Sequence, residues 1–261
     1  MKTSTNTMTE RQITGNAYFA SDFHFGVPDR ESSLRREEAI VRWLDRISAD
    51  AEHLFLLGDI FDFWFEYRDV VPKGYFRFFS KLLEMRGKGI KIYYFTGNHD
   101  MWVGDYLEKE LGMDIFRSQQ VFIINGKRCV VGHGDGLDPN DKGYLLIKKI
   151  FAFRPNILLY GALPPRWAFS IARKCSHTSR KKTGNEDFHK DDEDIMVNYI
   201  LDYLQKDANV DFFIFGHRHL PLKIHIENAV YFNTGDWLTH NTYLRASSES
   251  FDLLYDKKQT D

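Results

Sequence analysis

The feature that most restricts the fold of this 261-residue chain is a series of short apolar runs, each rich in aromatic or β-branched residues and followed by polar residues. Such runs are typical of buried strands. The predicted strands are Ala17 to Ser21, His53 to Leu57, Ile90 to Thr96, Val121 to Ile124, Arg128 to Val131 and Asp211 to Phe215. Helical periodicity over Arg30 to Ser48 and Gly74 to Arg86 separates the first three, which predicts an α/β protein with a largely parallel sheet covered on both faces.

Two hairpins interrupt the parallel pattern. Asn125-Gly126 joins two strand runs and suits a two-residue turn in which both residues have positive φ. A second hairpin is predicted at Glu227-Asn228, between the runs Leu222 to Ile226 and Ala229 to Phe232.

A segment with helical periodicity, Tyr144 to Gln205, is predicted to be an insertion that forms a lid over a site built by the rest of the chain. Its helical stretches are Tyr144 to Phe153, Arg166 to Lys174 and Asp192 to Leu204. The domain organisation expected is therefore a polar tail over residues 1–16 and a single domain over 17–261, with the lid at about 144–205.

Composition excludes several classes of protein. With 43% hydrophobic and 28% charged residues and a formal net charge of −2, the chain is neither a disordered segment nor a basic nucleic-acid binder. Cys129 and Cys175 show no metal-binding spacing and no disulfide framework, which fits a reducing cytoplasm. The first sixteen residues lack the apolar core of a signal peptide, and the uncharged run PNILLYGALPP is too short to span a bilayer.

Five polar motifs follow the apolar runs and point to a metal site. They are Asp22-Phe23-His24, Gly58-Asp59, Gly97-Asn98-His99-Asp100, Gly132-His133-Gly134-Asp135 and Gly216-His217-Arg218-His219. Alone, the first two could be loop residues or helix caps. Together, all five lie at the carboxyl ends of predicted strands, where α/β sheets gather functional side chains, so five unrelated loops are a poor explanation.

Seven side chains in these motifs are candidate ligands for two metal ions: Asp22, His24, Asp59, Asn98, His133, His217 and His219. Four ligands per ion require one shared carboxylate, and Asp59 is the candidate bridge. Carboxylate, amide and imidazole ligands together suit Mn, Fe, Zn or Co better than Mg. Two such ions activate water and neutralise phosphoryl oxygens, which predicts hydrolysis of a phosphoester or pyrophosphate. His99 is predicted to act on the leaving group, with Asp100 holding its ring.

The five motifs resemble the pattern of the calcineurin-like metallophosphoesterase superfamily, D-x-H, G-D, G-N-H-[DE], H and G-H-x-H, from about Ala17 to Trp237. The resemblance implies a four-layer α/β/β/α sandwich with a helical cap insertion and two divalent ions, most often Mn. It also implies one metal site formed by Asp22, His24, Asp59 and His219, and a second formed by Asp59, Asn98, His133 and His217.

Within that superfamily the chain resembles the UDP-2,3-diacylglucosamine pyrophosphatases of lipid A biosynthesis. The stretches that carry this resemblance are Gly58-Asp59-Ile60-Phe61-Asp62-Phe63-Trp64 and His133-Gly134-Asp135-Gly136-Leu137 with Asp141, Gly143 and Tyr144. The activity implied is cleavage to UMP and 2,3-diacylglucosamine 1-phosphate. The best-known branch of this family has Arg where His99 stands.

The insertion then corresponds to a cap that binds lipid. Six basic residues and no acidic residue lie between Arg166 and Lys182, beside apolar runs. By position, Arg173, Ser176 and Arg180 resemble the family's substrate-contacting segment, together with Asn98 and His99. A cytoplasmic protein in peripheral contact with the inner membrane surface is expected. The alternatives are a metallophosphoesterase for another phosphodiester, nucleotide or phosphomonoester, and a non-catalytic scaffold, although no ligand is missing.

Overall fold

The computed structural model describes residues 10–172 and 190–256, and these residues form two β-sheets and seven helices. The strands are β1 Arg11–Ile13, β2 Ala17–Ala20, β3 His53–Leu56, β4 Lys91–Phe95, β5 Asp114–Phe116, β6 Gln120–Ile124, β7 Lys127–Val131, β8 Phe212–Phe215, β9 Pro221–Ile226, β10 Ala229–Thr234, β11 Thr242–Ala246 and β12 Phe251–Tyr255. The helices are α1 Arg30–Ile47, α2 Phe76–Gly87, α3 Tyr106–Leu111, α4 Lys142–Ala152, α5 Arg154–Gly161, α6 over 165–172 and α7 Lys190–Leu204.

The two six-stranded sheets have the orders β1-β6-β7-β8-β10-β9 and β12-β11-β2-β3-β4-β5. Alternation along the strands shows how they pack, since successive side chains point to opposite faces. In the second sheet Phe55 belongs to a core shared with Ile214 of the first sheet, while Leu54 and Leu56 pack with Trp43 of α1. The interior therefore lies between the two sheets, and helices cover the outer face of the second sheet.

Helix α7 covers the outer face of the first sheet. Its Met196 and Ile200 are buried with Val130 of β7 and Phe213 of β8. The architecture is a four-layer α/β/β/α sandwich, as predicted. The structure corrects the extent of the lid, however: the part of the predicted insertion that forms α7 packs on the sheet as an outer layer, and α4, α5 and α6 remain as the candidate lid.

The amino-terminal boundary also needs correction. Residues 1–16 were predicted to be a polar tail, yet Arg11–Ile13 form β1, which pairs in parallel with β6. Ile13 is buried in the core between the sheets, and the Arg11 guanidinium lies 4.4 Å from the centre of the Phe116 ring. These contacts give an edge strand to a run with only one aliphatic residue, so the sequence pattern alone did not reveal it.

Parallel pairing brings the predicted motifs together. Strands β2, β3 and β4 run parallel in the second sheet, and β7, β8 and β10 run parallel in the first. Their carboxyl ends therefore meet along one edge of the sandwich. Both predicted hairpins are confirmed, with Asn125 at φ 50°, Gly126 at φ 78° and Glu227 at φ 51°.

Candidate metal centre

The loops that follow β2, β3 and β8 carry most of the predicted ligands in the left-handed backbone conformation. The φ angles are 56° for Asp22, 44° for His24, 52° for Asp59, 72° for His217 and 56° for His219. Residues other than glycine adopt this region rarely and at a cost of order 1–3 kcal/mol. The surrounding chain holds these residues there through backbone hydrogen bonds, such as Asp22 N to Gly58 O at 3.0 Å and His24 N to Asp59 O at 2.9 Å.

Glycine is required where these loops approach each other. Gly58 has φ 87°, and a Cβ atom there would lie 2.7 Å from both Gly97 N and His133 Nδ1. A Cβ atom on Gly97 would clash with the carboxylate of Asp59. The two glycines of the motifs therefore let the metal-site loops pack against one another.

The carboxylates Asp22 and Asp59 are both buried and each is anchored through one oxygen. Oδ2 of Asp22 accepts a hydrogen bond from His217 N at 3.0 Å and one from the Ser21 hydroxyl, and Oδ1 of Asp59 accepts one from His99 N at 2.8 Å. The other oxygens face imidazoles. Oδ1 of Asp22 accepts no hydrogen bond from the described residues, although it is fully buried. A buried carboxylate oxygen in this state is well suited to bind a cation.

Two of the histidines are held so that Nε2 faces the carboxylates. His133 donates from Nδ1 to the backbone oxygen of Leu57 at 2.7 Å, and Nδ1 of His219 lies 3.3 Å from Oδ2 of Asp236. A hydrogen bond at one ring nitrogen fixes the tautomer and leaves the other nitrogen as a metal ligand. Their Nε2 atoms are therefore the candidate ligands.

Two clusters share the region around Asp59. Asp22, His24 and His219 form one cluster and Asp59, His133 and His217 form the other, each with its ligand atoms within 4.8 Å of one another. A third group, His24, Asp59 and His99, meets the same limit and overlaps both clusters. Oδ2 of Asp59 lies 3.4 Å from His133 Nε2 and 3.9 Å from His24 Nε2, so this single oxygen reaches both clusters.

The distances suit coordination. Nε2 of His219 lies 3.4 Å from Asp22 Oδ1 and 3.3 Å from His24 Nε2, and Asn98 Oδ1 lies 3.3 Å from His133 Nε2. Ligand atoms bound to a common ion at about 2.1 Å are separated by roughly 3.0–3.4 Å. The structure thus brings the side chains of all seven predicted ligands together in one region.

The charges of the cluster balance one another. Burial alone would raise the pKa of Asp22, but the positive charge of His219 and the nearby His24 imidazole, whose Nε2 lies 3.7 Å from Oδ1, lower it to about 2. Burial would lower the pKa of His133, but Asp59 raises it to about 10. Burial and the charge of His133 together lower the pKa of His217 to about 4. The buried carboxylates thus attract positive charge, which a divalent cation also supplies.

His99 lies at the centre, but Asp100 does not hold its ring, and that prediction is wrong. Nδ1 of His99 lies 2.9 Å from the backbone oxygen of Asp62 and 3.7 Å from its Oδ1. Asp100 points into the core, where it accepts hydrogen bonds from Gly97 N at 2.7 Å, Ile60 N at 2.9 Å and the Tyr94 hydroxyl. Burial and the charge of Asp59 raise the pKa of Asp100 to about 6. It stabilises the turn that presents Asn98 and His99.

Sequence reasoning missed three acidic residues around the site. Asp62 lies between His24 and His99, with its Oδ1 3.6 Å from His24 Nδ1. Asp236 contacts His219 from the loop after β10, and Asp135 contacts Lys148 and Tyr144 of α4. A signal for Asp236 was available, because the Gly235-Asp236 pair follows an apolar strand like the other motifs. The predicted lid residues Arg173, Ser176 and Arg180 lie outside the described residues.

An apolar cavity of about 430 Å³ opens beside the cluster. Asn98 and His99 line it on the side of the metal site, and aromatic and aliphatic side chains of the core and lid line the rest, including Met101, Trp102, Ile150, Phe151, Tyr160 and Ile171. Trp102 donates a hydrogen bond to the backbone oxygen of Phe151 at 2.9 Å, so α4 is joined to the core at the cavity wall.

An α/β/β/α sandwich with aspartate and histidine clusters at the carboxyl ends of its parallel strands defines a metal-dependent hydrolase. The sequence agrees with this class. The chain belongs to the calcineurin-like phosphoesterase family, whose model matches residues 16–221. Divalent metal ions are the cofactors that this family implies, and the two clusters fit them.

Curated relatives cover most of the chain. It is 35% identical to a UDP-2,3-diacylglucosamine hydrolase of Porphyromonas gingivalis over 87% of this chain and 92% of the relative. It is 30% identical to a UDP-2,3-diacylglucosamine hydrolase of Neisseria gonorrhoeae over 87% of this chain and 91% of the relative. Among the described residues, no helix is long and apolar enough to cross a membrane.

Proposed function

We propose that this protein hydrolyses the pyrophosphate bond of UDP-2,3-diacylglucosamine and releases UMP and 2,3-diacylglucosamine 1-phosphate. The observation that carries the proposal is the apolar cavity of about 430 Å³ that begins at Asn98 and His99. A soluble sugar nucleotide has no apolar group that could fill such a cavity, whereas this glycolipid has two acyl chains. The two relatives above are both named UDP-2,3-diacylglucosamine hydrolase, and their similarity to this chain extends over 92% and 91% of their lengths.

The ligand assignment is part of the proposal. Asp22, His24, Asp59 and His219 would hold one ion, and Asp59, Asn98, His133 and His217 the other, with Asp59 shared. Mn is the metal expected from the family resemblance, and Fe, Zn and Co are competitors because mixed oxygen and imidazole ligands suit all four. Divalent ions held by these residues would supply positive charge that lowers the pKa of a water molecule and neutralises phosphoryl oxygens.

The residues of the chain complete the reaction. The oxygen of water would form a bond to one phosphorus atom as the bond from that phosphorus to the bridging oxygen breaks, and the proton that the water loses would pass to solvent. His99 donates from Nδ1 to the backbone oxygen of Asp62 at 2.9 Å, and with its ring doubly protonated it would give the Nε2 proton to the departing phosphate. Asn98 lines the same cavity and orients the phosphate. Arg173, Ser176 and Arg180 are proposed to contact the substrate from the lid.

The lid is also the proposed contact with the cytoplasmic surface of the inner membrane. Its exposed apolar side chains include Phe153, Leu158, Leu159 and Trp167, and Leu158 is 75% exposed. Basic residues on the same elements, such as Lys149 and Arg154, suit anionic headgroups. Flotation with vesicles that contain anionic lipid tests this: the double substitution Leu158→Ser and Leu159→Ser is expected to abolish binding. Equal flotation of the variant and the parent protein would refute it.

The decisive assay compares three substrates with the Mn-loaded protein: UDP-2,3-diacylglucosamine, UDP-glucose and bis-p-nitrophenyl phosphate. UMP release confined to the acylated substrate is the expected result. Equal turnover of all three would instead indicate a general phosphodiesterase. Absence of turnover with all three would indicate a non-catalytic scaffold. Metal-free protein reconstituted with Mn, Fe, Zn or Co identifies the active metal.

A matched pair of variants tests the cavity. Phe151 lines it and is 44% exposed, so an acyl chain in the cavity would cover only part of its ring. Phe151→Ser is expected to raise KM for the acylated substrate roughly 10-fold. Hydrolysis of bis-p-nitrophenyl phosphate should not change. Phe76→Ser is the control, because Phe76 is 78% exposed on α2 and lines none of this cavity.

A further inference from the structure

His133 and His219, which belong to different clusters of the metal centre, are anchored in different ways. The His133 side chain is 1% exposed, and its Nδ1 donates to a backbone oxygen, that of Leu57. The His219 side chain is 38% exposed, and its Nδ1 faces a side chain, the carboxylate of Asp236, at 3.3 Å. Of these two rings, only that of His219 is therefore oriented by a side chain, which a substitution can remove.

Asp236 is itself fixed in place. The residue is 3% exposed, and its Oδ1 accepts hydrogen bonds from Thr239 N at 3.0 Å and His240 N at 2.9 Å. These two bonds direct Oδ2 towards His219. Oδ2 of Asp236 lies 3.3 Å from Nδ1 of His219, and in a hydrogen bond between them the ring N–H is the donor and the carboxylate oxygen the acceptor.

The loop of Asp236 is also joined to the metal site through the backbone. Trp237 N donates to Asp22 O at 3.2 Å, and the Ser21 hydroxyl next to Asp22 contacts the Thr234 hydroxyl at 2.7 Å. The strand end after β10 therefore contacts Asp22 and His219 together. His133 belongs to the other cluster, with Asp59 and His217.

We propose that Asp236 is a positioning residue that holds His219 in the tautomer with a bare Nε2, and so sets the metal affinity of the site formed by Asp22, His24, Asp59 and His219. The inference rests on the metal centre of the proposed function but not on its substrate. A carboxylate behind a metal-binding histidine contributes about 10- to 100-fold to metal affinity. Its loss should weaken this site and leave the other unchanged.

Asp236→Asn is the informative variant. Its Oδ1 can still accept from Thr239 N and His240 N, so the turn is kept, while its amide NH₂ replaces Oδ2. An amide donor facing Nδ1 favours the tautomer with the proton on Nε2, where it blocks the metal. His240→Gln is the matched control, because Nδ1 of His240 contacts the same carboxylate at 3.2 Å without reaching the metal ligands in the described structure.

The test measures metal binding rather than hydrolysis. Metal-free protein is titrated with Mn²⁺, stoichiometry is measured by calorimetry, and pairing of the ions by electron paramagnetic resonance. The parent and His240→Gln should bind two ions as a coupled pair. Asp236→Asn should bind one with unchanged affinity and the second about 10- to 100-fold more weakly, with loss of the coupled signal.

Two results would overturn the proposal: two ions bound at parental affinity by Asp236→Asn, or equal weakening of both sites. The ¹⁵N resonances of His219 in the metal-free protein give a second readout, with the proton expected on Nδ1 in the parent and on Nε2 in the variant. If the acylated substrate proved not to be hydrolysed, these binding results would stand or fall independently of that outcome.

Discussion

His99 and Asp100 are neighbours in the chain with opposite surroundings. His99 lines the apolar cavity beside the metal ligands, whereas Asp100 is fully buried and bonded to three groups of the core. Consecutive residues of a tight turn point in different directions, so adjacency in sequence did not predict contact between them. The real partner of His99 is Asp62, which comes from the loop after β3.

Substitution of His99 should affect catalysis alone. His99→Ala is expected to lower kcat/KM for the acylated substrate about 10²- to 10⁴-fold, the usual contribution of a positioned acid. Metal content and thermal stability should match the parent, because His99 is not among the proposed ligands. Parallel measurement of metal by mass spectrometry separates the two effects; normal kcat/KM with normal metal content would exclude the proposed role.

Substitution of Asp100 should affect stability first. Asp100→Ala leaves the N–H groups of Gly97 and Ile60 and the Tyr94 hydroxyl without their acceptor in the core. Each buried donor left unpaired costs about 1–3 kcal/mol. We expect a loss of at least about 2 kcal/mol, or roughly 4–8 °C in Tm for a chain of this size. Calorimetry on the variant and on His99→Ala makes the comparison; a Tm equal to that of the parent would contradict it.

At the scale of elements, α4 is joined to the metal-site loop by one acidic residue. Oδ2 of Asp135 lies 2.6 Å from the Lys148 ammonium and accepts a hydrogen bond from the Tyr144 hydroxyl at 2.6 Å. Asp135 is two residues from His133, so this contact connects the position of the lid helix to the proposed metal centre. The sequence showed an amphipathic helix here but not the residue that anchors it.

Lys148→Met should loosen this helix without changing the metal site. We expect KM for the acylated substrate to rise roughly 5- to 10-fold, with metal content unchanged. This is less than the about 1.5–3 kcal/mol of a hydrogen bond to a charged group, because the Lys148 side chain is 37% exposed and solvent screens the contact. Lys142→Met is the control on the same helix, since Lys142 is exposed. Steady-state kinetics on the two variants give the two KM values. An equal rise in both would show that the charge of the helix, and not the contact of Lys148 with Asp135, determines KM.

Helix α7 shows why the predicted lid was too long. An amphipathic pattern indicates that one face of a helix is buried, but not against which partner. Met196, Ile200 and Leu204 pack on the first sheet, and this contact depends on the order of strands β7 and β8. In the same way, β1 and the short strand β5 exist because neighbouring strands pair with them, and neither run is apolar enough to be recognised alone.

At the scale of the whole molecule, the core between the two sheets was the most predictable part. The longer strands alternate or are fully apolar, and their pattern specifies burial on both faces. The gathering of the seven proposed ligands in one region was also predictable, because their motifs come in the loops after strands whose carboxyl ends meet. Asp62 and Asp236 were not identified, since their roles depend on which loops meet in space.

Cys129 of β7 reports on the integrity of this core. It is fully buried between the sheets, and burial raises the pKa of its thiol well above the ordinary value. Because the thiolate is the reactive form, Cys129 should not react with a disulfide reagent at pH 8 in the native protein and should react fully in denaturant. A Cys175→Ser background isolates its signal; rapid reaction under native conditions would mean that the sheets separate readily.

The left-handed conformation of Asp22, His24, Asp59, His217 and His219 has a consequence for the evolution of this molecule. At each of these positions a glycine would relieve backbone strain that the present side chain imposes. Laboratory selection for heat resistance alone should therefore enrich glycine in the metal-site loops. The selected variants would have higher thermal stability and lower catalytic activity. Five strained residues in one place are expected where side chains that serve activity are kept at the expense of stability.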